Sequence, residues 1–267
     1  MKPIQNKVNS KTGTETSVVI QKRDLTLLAE LLILRLVLCL QTVAIGLFRS
    51  RRRAHDRLSR LVAAGVLRRY FIGTVSSGRK AIYALSTKGA ALIGAPKPRI
   101  HYRRDQLITA DQFVSHQLQI NEVFLTCKYR ALPRDVRFEF WRTFSQPLAE
   151  HIRLIPDGYC QLINAGGARC LFLEVDLGTE SLRIWKEKIQ MYIQLAISGD
   201  FQRLFNQPQF RVAVIAPSER RLKNIVRLIA QHTDKIFWLG SLENINSENF
   251  WSAVWRRPNS DQLHSLL

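Results

Sequence analysis

Residues 50–65 read SRRRAHDRLSRLVAAG, and this stretch predicts an amphipathic helix with one arginine-rich face. Its apolar side chains recur at helical spacing and form a single stripe: Ala54, Leu58, Leu61 and Val62. Ser50 is suited to cap the start of the helix, and Gly65 can adopt the left-handed conformation that ends one. The basic side chains occupy much of the remaining surface, concentrated in the first turns: Arg51, Arg52, Arg53, Arg57 and Arg60.

Two further helices are predicted upstream of this one. Leucines recur at helical spacing over residues 25–36, and Asp24 is suited to cap that helix. A second short apolar helix is predicted over about residues 41–48. The apolar run 31–48 has the length of a membrane span, but Arg35 near its middle is costly in lipid. Two short helices of a protein without a membrane segment are therefore the favoured interpretation.

The pattern changes to strands after Gly65. Residues 66–72 and 79–85 predict the two arms of a hairpin whose tip reads GTVSSG at 73–78, and Ser86 begins another short helix. Three helices followed by a two-stranded wing resemble the winged helix-turn-helix family over residues 24–94. In that family the third helix enters the major groove of DNA and the wing contacts the backbone.

The charge distribution agrees with a polyanionic partner. The chain has 40 Lys and Arg against 21 Asp and Glu, a net charge of +19, and residues 1–110 hold 21 of the basic but only 5 of the acidic side chains. Such an excess favours double-stranded DNA as the partner. The resemblance implies DNA contacts by Arg51, Arg52, Arg53, Arg57 and Arg60 of the helix and by Arg79 and Lys80 of the wing.

The second half of the chain predicts a mixed sheet flanked by helices. A long helix begins at Asp111, and the hairpin that follows the first strand turns at residues 164–167. Thr179 is suited to cap the next helix. The predicted order is αβββαβαβ, with strands at about 136–141, 155–162, 169–176, 210–215 and 235–239, and a helix at 218–231. The predicted fold class is therefore α/β (α+β): a winged helix-turn-helix followed by a mixed-sheet, restriction-endonuclease-like domain.

Two carboxylates of this hairpin carry a further resemblance. The sequence PDG at 156–158 and FLEVD at 172–176 resemble the PD-(D/E)xK nuclease superfamily, whose two acids hold a divalent metal and whose lysine activates water. Asp157 and Glu174 match the acids, so the resemblance implies a metal site for Mg or Mn. The expected lysine is replaced by Asp176, and Lys188 of the following helix is the candidate substitute. The predicted catalytic set is Asp157, Glu174, Asp176 and Lys188.

Several motifs together resemble the replication-relaxation family of plasmids and other mobile elements over about residues 24–240. They are the winged helix, HQLQINE at 116–122, IPDG at 155–158, FLEVDLGTES at 172–181 and KIQMY at 188–192. The resemblance implies a DNA-binding accessory protein in plasmid replication, relaxation or mobilisation, with a relaxase or replication proteins as partners. Two alternatives stay open: a metal-dependent DNA endonuclease with a degenerate motif, and a winged-helix transcriptional repressor whose second domain forms a homodimer.

The predicted organisation has five segments. They are a flexible basic arm at 1–22, the winged helix at 23–94, a linker at 95–110, the nuclease-like domain at 111–240 and a C-terminal extension at 241–267.

The four cysteines lack metal-ligand spacing, which predicts reduced thiols in a cytoplasmic protein. A bridge between Cys160 and Cys170 across the hairpin is an alternative.

Overall fold

The computed structural model describes residues 18–73, 78–98, 105, 107–108 and 112–267, and its contacts divide the chain into two units between Asn121 and Glu122. Helices accompany a four-stranded sheet in the first unit and a seven-stranded sheet in the second. The predicted mixed α/β class is therefore confirmed. Residues 1–17 of the predicted basic arm, residues 74–77 of the wing tip and most of the linker lie outside the described residues, whereas Lys22, placed in the arm, begins the first helix. The other domain bounds stay predictions.

In the first unit, helices surround an antiparallel hairpin to which two short strands are added. The sheet order is β1-β3-β2-β4, in which β4 pairs parallel to β2 and the other pairs are antiparallel. The elements are α1 (Lys22–Leu34), β1 (Leu36–Leu38), α2 (Cys39–Ala44), α3 (Arg51–Ala63), β2 (Leu67–Gly73), β3 (Arg79–Leu85), α4 (Thr87–Leu92) and β4 (Leu107–Ile108). Helix α5 (Gln112–Tyr129) begins in this unit and ends in the second.

The apolar run 31–48 is divided between three elements instead of two helices. Arg35 ends α1 with a φ of 61°, and Leu36 then pairs with Ala84 of β3. The strand β1 was not predicted, because apolar residues in a short run satisfy a helix and a strand equally well. In the described part of the chain, no helix has the length and apolar character to cross a membrane.

The start of α1 also differs from the prediction. Gln21 is the N-cap, and Asp24 lies inside the first turn, where its Oδ2 accepts the Gln21 N–H at 2.7 Å. A carboxylate at the third helical position that reaches back to the cap residue is half of a capping box. The prediction that Asp24 is the N-cap is therefore wrong: Gln21 is the N-cap, and Asp24 is the third residue of the helix.

A hydrogen bond connects the residue that ends α3 with the residue that caps α4. Gly65 has a φ of 71° and ends α3, as predicted. Ser86 caps α4: its Oγ accepts the Gly89 N–H at 2.9 Å and lies 2.7 Å from the Gly65 carbonyl oxygen. A Cβ on Gly89 would meet the carbonyl oxygen of Val66, so this close approach requires glycine.

The second unit follows the predicted order of elements. Its sheet order is β11-β10-β9-β8-β7-β6-β5, antiparallel over β5-β6-β7, parallel over β7-β8-β9 and antiparallel again at β9-β10-β11. Its elements after α5 are β5 (Arg137–Arg142), β6 (Gly158–Asn164), β7 (Gly167–Val175), α6 (Leu182–Ile197), α7 (Asp200–Phe205), β8 (Arg211–Ala216), α8 (Glu219–Ala230), β9 (Phe237–Ser241), β10 (Trp255–Arg256) and β11 (Leu263–His264).

Three details of this unit depart from the prediction. Helix α7 was not predicted, and residues 241–267 extend the sheet by two short strands. Helix α6 is capped by Ser181 instead of Thr179, since Ser181 Oγ accepts the Ile184 N–H at 3.3 Å. All four cysteine thiols are free.

Helix α6 packs its apolar face on the sheet beside a group of aromatic rings. The ring of Phe172 on β7 lies 5.1 Å from that of Tyr159 and 5.6 Å from that of Tyr192, centroid to centroid. Trp185 and Ile189 of α6 are also buried in this core. Burial of each such side chain contributes about 1.5–3 kcal/mol. The core thereby holds α6 against the end of β7, where the candidate acids lie.

Candidate functional site

The first candidate site is the exposed arginine face of α3. Arg51, Arg52, Arg53 and Arg60 are all exposed, and Ser50 caps the helix by accepting the Arg53 N–H at 3.3 Å. Within the part of the chain that the structure describes, none of these four guanidinium groups forms an ion pair with a carboxylate. Three of them lie in the first turn, where the helix dipole is positive. Cations are unfavourable at that end, so this surface favours an anionic partner.

Arg57 lies in the interior of the same unit instead. Its side chain is only 9% exposed, and its Nε donates to Asp24 Oδ1 at 3.0 Å. The Nη2 atom donates to Asp24 Oδ2 and, at 2.7 Å, to the carbonyl oxygen of Val19. The sequence carries the signal for this, because position 57 falls beside Leu58 and three residues after Ala54, on the apolar stripe. Arg57 is therefore not part of the exposed arginine face of α3.

The hairpin contributes two more exposed cations. Arg79 and Lys80 begin β3 opposite Gly73 and Ile72 of β2, and both side chains are exposed. They flank the wing tip, of which residues 74–77 lie outside the described residues. Their role in phosphate contact stays a prediction.

The second candidate site is an acidic cluster at the open end of the β6–β7 hairpin. Asp157 precedes β6, and Glu174 lies near the end of β7. Asp157 Oδ2 accepts the N–H of Val175 at 2.7 Å, which ties the two segments together. The adjoining Gly158 packs so tightly that a Cβ there would lie 2.5 Å from the Trp141 ring. The register of this hairpin therefore brings the two carboxylates to one end of the sheet.

Lys188 of α6 completes this cluster. Its Nζ lies 2.8 Å from Glu174 Oε2 and 2.8 Å from Glu180 Oε1, while Tyr192 Oη donates to Glu174 Oε1 at 2.6 Å. Glu174 is 1% exposed. The structure thus brings together three of the four predicted catalytic residues, Asp157, Glu174 and Lys188. Glu180 was not predicted, because eight residues separate it from Lys188 and helical spacing connects residues three or four apart.

Asp176 belongs to a different set of contacts. Its Oδ1 accepts the Gly178 N–H at 2.6 Å, and its Oδ2 accepts from Arg221 Nε at 2.6 Å and from Trp185 Nε1 at 3.2 Å. Asp176 is buried and anchors α8 and α6 to the end of β7. No local sequence signal could have identified Arg221, which lies 45 positions away on another helix.

Burial and neighbouring charges both shift the pKa values of the residues in this cluster. Burial raises the pKa of Glu174 to about 7; Lys188 opposes this shift, and Asp157 adds to it. Burial alone would lower the pKa of Lys188, but Glu174, Asp157 and Glu180 raise it well above its usual range. Burial, followed by the charge of Glu174, also raises the pKa of Tyr192 well above its ordinary value. Lys188 is therefore charged at every physiological pH.

The carboxylates of this cluster are the candidate ligands for a divalent cation. Carboxylate oxygens suit Mg²⁺ or Mn²⁺ chemically. However, both oxygens of Glu174 and one oxygen of Asp157 already accept hydrogen bonds, one of them from the Lys188 ammonium group. Among the described residues, no group of three or more His, Cys, Asp or Glu side chains is arranged to hold a metal ion. In this arrangement Lys188 takes the place of a cation, and the cluster does not fit a metal.

Comparison with known proteins gives the family. The sequence model described as replication-relaxation matches residues 25–207, which span α3, the hairpin and the acidic cluster. The chain therefore belongs to the replication-relaxation family, as the sequence motifs predicted. Searches of curated proteins and of solved structures returned no match. Family membership suggests a role in the replication or relaxation of a plasmid or other mobile element.

Proposed function

We propose that this protein is a DNA-binding accessory protein in the replication, relaxation or mobilisation of a plasmid or mobile element. It binds duplex DNA through α3 and does not cleave it on its own. The observation that carries the proposal is the exposed arginine cluster in the first turn of α3, Arg51, Arg52 and Arg53.

The element order supports this mode of binding. Helices α1, α2 and α3 are followed by the β2–β3 hairpin, and β1 pairs with β3, an arrangement that resembles a winged helix. An α-helix with side chains is about 10–12 Å wide and the major groove is about 12 Å wide, so a helix fits it. With the start of α3 in the groove, Arg79 and Lys80 of the hairpin contact phosphates.

Electrostatics supports the same surface. Three arginines in the first turn of a helix repel one another and the positive end of the helix dipole, which costs stability in the free protein. Phosphate groups remove this repulsion, and DNA releases counterions when the arginines bind it. The arginine cluster is therefore explained better by a nucleic-acid partner than by solubility.

The acidic cluster serves the fold in this proposal. The alternative, a metal-dependent endonuclease using Asp157 and Glu174, requires a cation where Lys188 Nζ contacts Glu174 Oε2 at 2.8 Å. The Lys188 ion pairs instead hold α6 against the end of β7.

The proposal is tested by fluorescence anisotropy with labelled duplexes tiled across the genomic neighbourhood of the gene. The variant Arg51→Ala/Arg52→Ala/Arg53→Ala is expected to lose affinity at least roughly tenfold, since three charge-assisted contacts are removed. The matched control removes the same charge from exposed positions of α8: Arg220→Ala/Lys223→Ala/Arg227→Ala.

The affinity of the control variant for duplex DNA is expected to lie within about twofold of that of the wild type at the same salt concentration. Equal losses of affinity in both variants would show that the effect depends only on net charge and would contradict the proposal. Binding confined to promoter duplexes, with none at replication or transfer origins, would favour the repressor alternative instead.

A further inference from the structure

A second basic site lies in the second unit, in a cavity of about 330 Å³ between β7, β8 and the segment before β9. Arg169 at the start of β7, Arg211 at the start of β8 and Lys235 line it together with Trp238 of β9. Its apolar wall includes Phe201 and Phe210. Such a volume lies at the lower end of the range for small-ligand sites.

Arg169 and Arg211 line this cavity, and the guanidinium group of Arg257 lies beside it, over the ring of Trp238. The guanidinium carbon of Arg211 lies 4.5 Å from the centroid of the Trp238 ring, and that of Arg257 lies 4.9 Å from it. In the described chain, none of Arg169, Arg211 and Arg257 forms an ion pair with an acid. The positive charge is therefore concentrated without an internal counterion.

Several donors in this group have no acceptor. Arg169 Nε, Arg257 Nε and Trp238 Nε1 are all buried, and none donates a hydrogen bond to any described residue. The rest of the group is only partly satisfied by backbone: Arg211 Nη1 donates to the carbonyl of Leu266, and Arg257 Nη2 to that of Asp234 at 2.8 Å. Buried unsatisfied donors are rare, because each costs stability, and their clustering indicates a missing acceptor.

The positive charges of this group act on one another at Arg211. Burial lowers the pKa of Arg211, and the positive charges of Arg169 and Arg257 lower it further. A ligand that carries negative charge and several acceptor oxygens would relieve this repulsion and offer acceptors to the guanidinium groups that line the cavity. Phosphate has this chemistry, and arginine recognises it with paired hydrogen bonds.

We propose that this cavity binds the phosphate group of a nucleotide, either free or at the end of a single DNA strand. The phosphate lies among Arg169, Arg211 and Lys235, and the sugar or base lies against the apolar wall. A concave site of this size admits one nucleotide unit rather than the side of a duplex. Arg169 and Glu174 are five residues apart on β7, roughly 16 Å, so the site is separate from the acidic cluster.

The test is isothermal titration calorimetry of the full-length protein with four ligands. They are dAMP, inorganic phosphate, and a single-stranded octanucleotide with and without a 5′-phosphate. Saturable binding of dAMP or of the phosphorylated strand is expected, at least tenfold tighter than binding of the strand without phosphate. If dAMP and the phosphorylated strand both bind, the site recognises nucleotides in general. If only the phosphorylated strand binds, the site recognises the end of a strand.

The variants Arg169→Gln and Lys235→Gln are expected to weaken this binding at least tenfold and threefold, respectively. Arg183→Gln and Lys223→Gln, at exposed positions elsewhere in the same unit, are the matched controls and are expected to leave it unchanged. Lys235 is exposed, so its variant keeps the test valid if Arg169→Gln fails to fold.

Three results would overturn the proposal: no binding of any phosphate ligand to the wild type, equal binding with and without the 5′-phosphate, or unchanged affinity in both cavity variants. The outcome is independent of duplex binding by α3. The Arg51→Ala/Arg52→Ala/Arg53→Ala variant is expected to bind dAMP like the wild type even where it has lost duplex DNA.

Discussion

Arg57 Nε donates a hydrogen bond to Asp24 Oδ1 at 3.0 Å, and this pair joins α3 to the first turn of α1 in the interior of the first unit. Arg57 belongs to the same arginine-rich sequence as Arg51, Arg52 and Arg53, but it has a different role. Its charge is neutralised inside the fold, whereas the three first-turn arginines remain exposed. The helix therefore carries a buried structural arginine within two turns of the exposed arginines proposed to bind DNA.

The buried pair predicts a large loss of stability when one partner is removed. Arg57→Met leaves Asp24 charged and buried without its partner, and breaking a buried pair in this way costs about 3–5 kcal/mol. Urea unfolding followed by circular dichroism measures the loss. Arg60→Met, at an exposed position of the same helix, is the control and is expected to change stability by less than about 0.5 kcal/mol. Equal effects of the two substitutions would contradict the structural role of Arg57.

The raised pKa of Glu174 predicts a specific pH dependence of stability. Between the model-compound pKa of 4.5 and the folded value of about 7, the folded protein binds more protons on this carboxyl than the unfolded chain. The contribution of Glu174 to stability is therefore fully present below pH 4.5 and decreases as the pH rises toward 7. Urea unfolding of the wild type and of Glu174→Gln at pH 4.5, 5.5 and 7 measures this.

Because glutamine does not titrate, the stability of Glu174→Gln relative to the wild type is expected to increase over this pH range. Lys188 keeps Glu180 as a partner in the variant, so its ammonium group remains paired. A difference in unfolding free energy that stays constant with pH would show that Glu174 titrates normally.

Much of the architecture could be predicted because it depends on local signals. Ser50 caps α3 as predicted, α8 begins within the helix predicted at 218–231, and Gly65 ends α3 with a positive φ. The turn at Asn164 joins β6 to β7, as the glycines after it indicated. Periodicity and capping act within a few residues, so a single sequence is sufficient to locate them.

The contacts that decide the sites are long-range and could be predicted only in part. The nuclease superfamily motif predicts a lysine near Glu174, and Lys188 of the helix after β7 lies 2.8 Å from it, although its catalytic role stays a prediction. The pair between Asp176 and Arg221 and the arginines of the cavity come from segments that only the folded sheet brings together. No spacing rule connects them in the sequence.

The close packing around Gly89 predicts a loss of stability on substitution that arises from steric overlap and not from charge. A Cβ at this position would meet the backbone carbonyl oxygen of Val66, which cannot move aside without displacing the start of β2. Gly89→Ala is expected to destabilise the protein by about 1–3 kcal/mol, whereas Thr87→Ala at an exposed position of α4 is expected to be nearly neutral. Thermal unfolding compares them. A Gly89→Ala protein as stable as the wild type would contradict the tight packing of α4.

The acidic cluster predicts no metal-dependent cleavage. Purified protein incubated with supercoiled plasmid from its own genomic neighbourhood is expected to leave it supercoiled in Mn²⁺ as in EDTA, because Lys188 holds the cation position beside Glu174. Agarose gels measure the conversion to nicked or linear forms. Asp157→Asn is the control, since an asparagine oxygen can still accept the Val175 N–H. Nicking in Mn²⁺ that Asp157→Asn abolishes would identify the protein as an endonuclease.

The most direct test of DNA binding by α3 is the salt dependence of duplex affinity. When the logarithm of the association constant is plotted against the logarithm of the salt concentration, the slope becomes smaller by about 0.9 for each phosphate contact that is removed. The Arg51→Ala/Arg52→Ala/Arg53→Ala variant is therefore predicted to have a slope smaller than that of the wild type by about 2 to 3, while Arg220→Ala/Lys223→Ala/Arg227→Ala keeps the wild-type slope. Identical slopes for the wild type and the α3 variant would contradict the proposal that these arginines bind DNA.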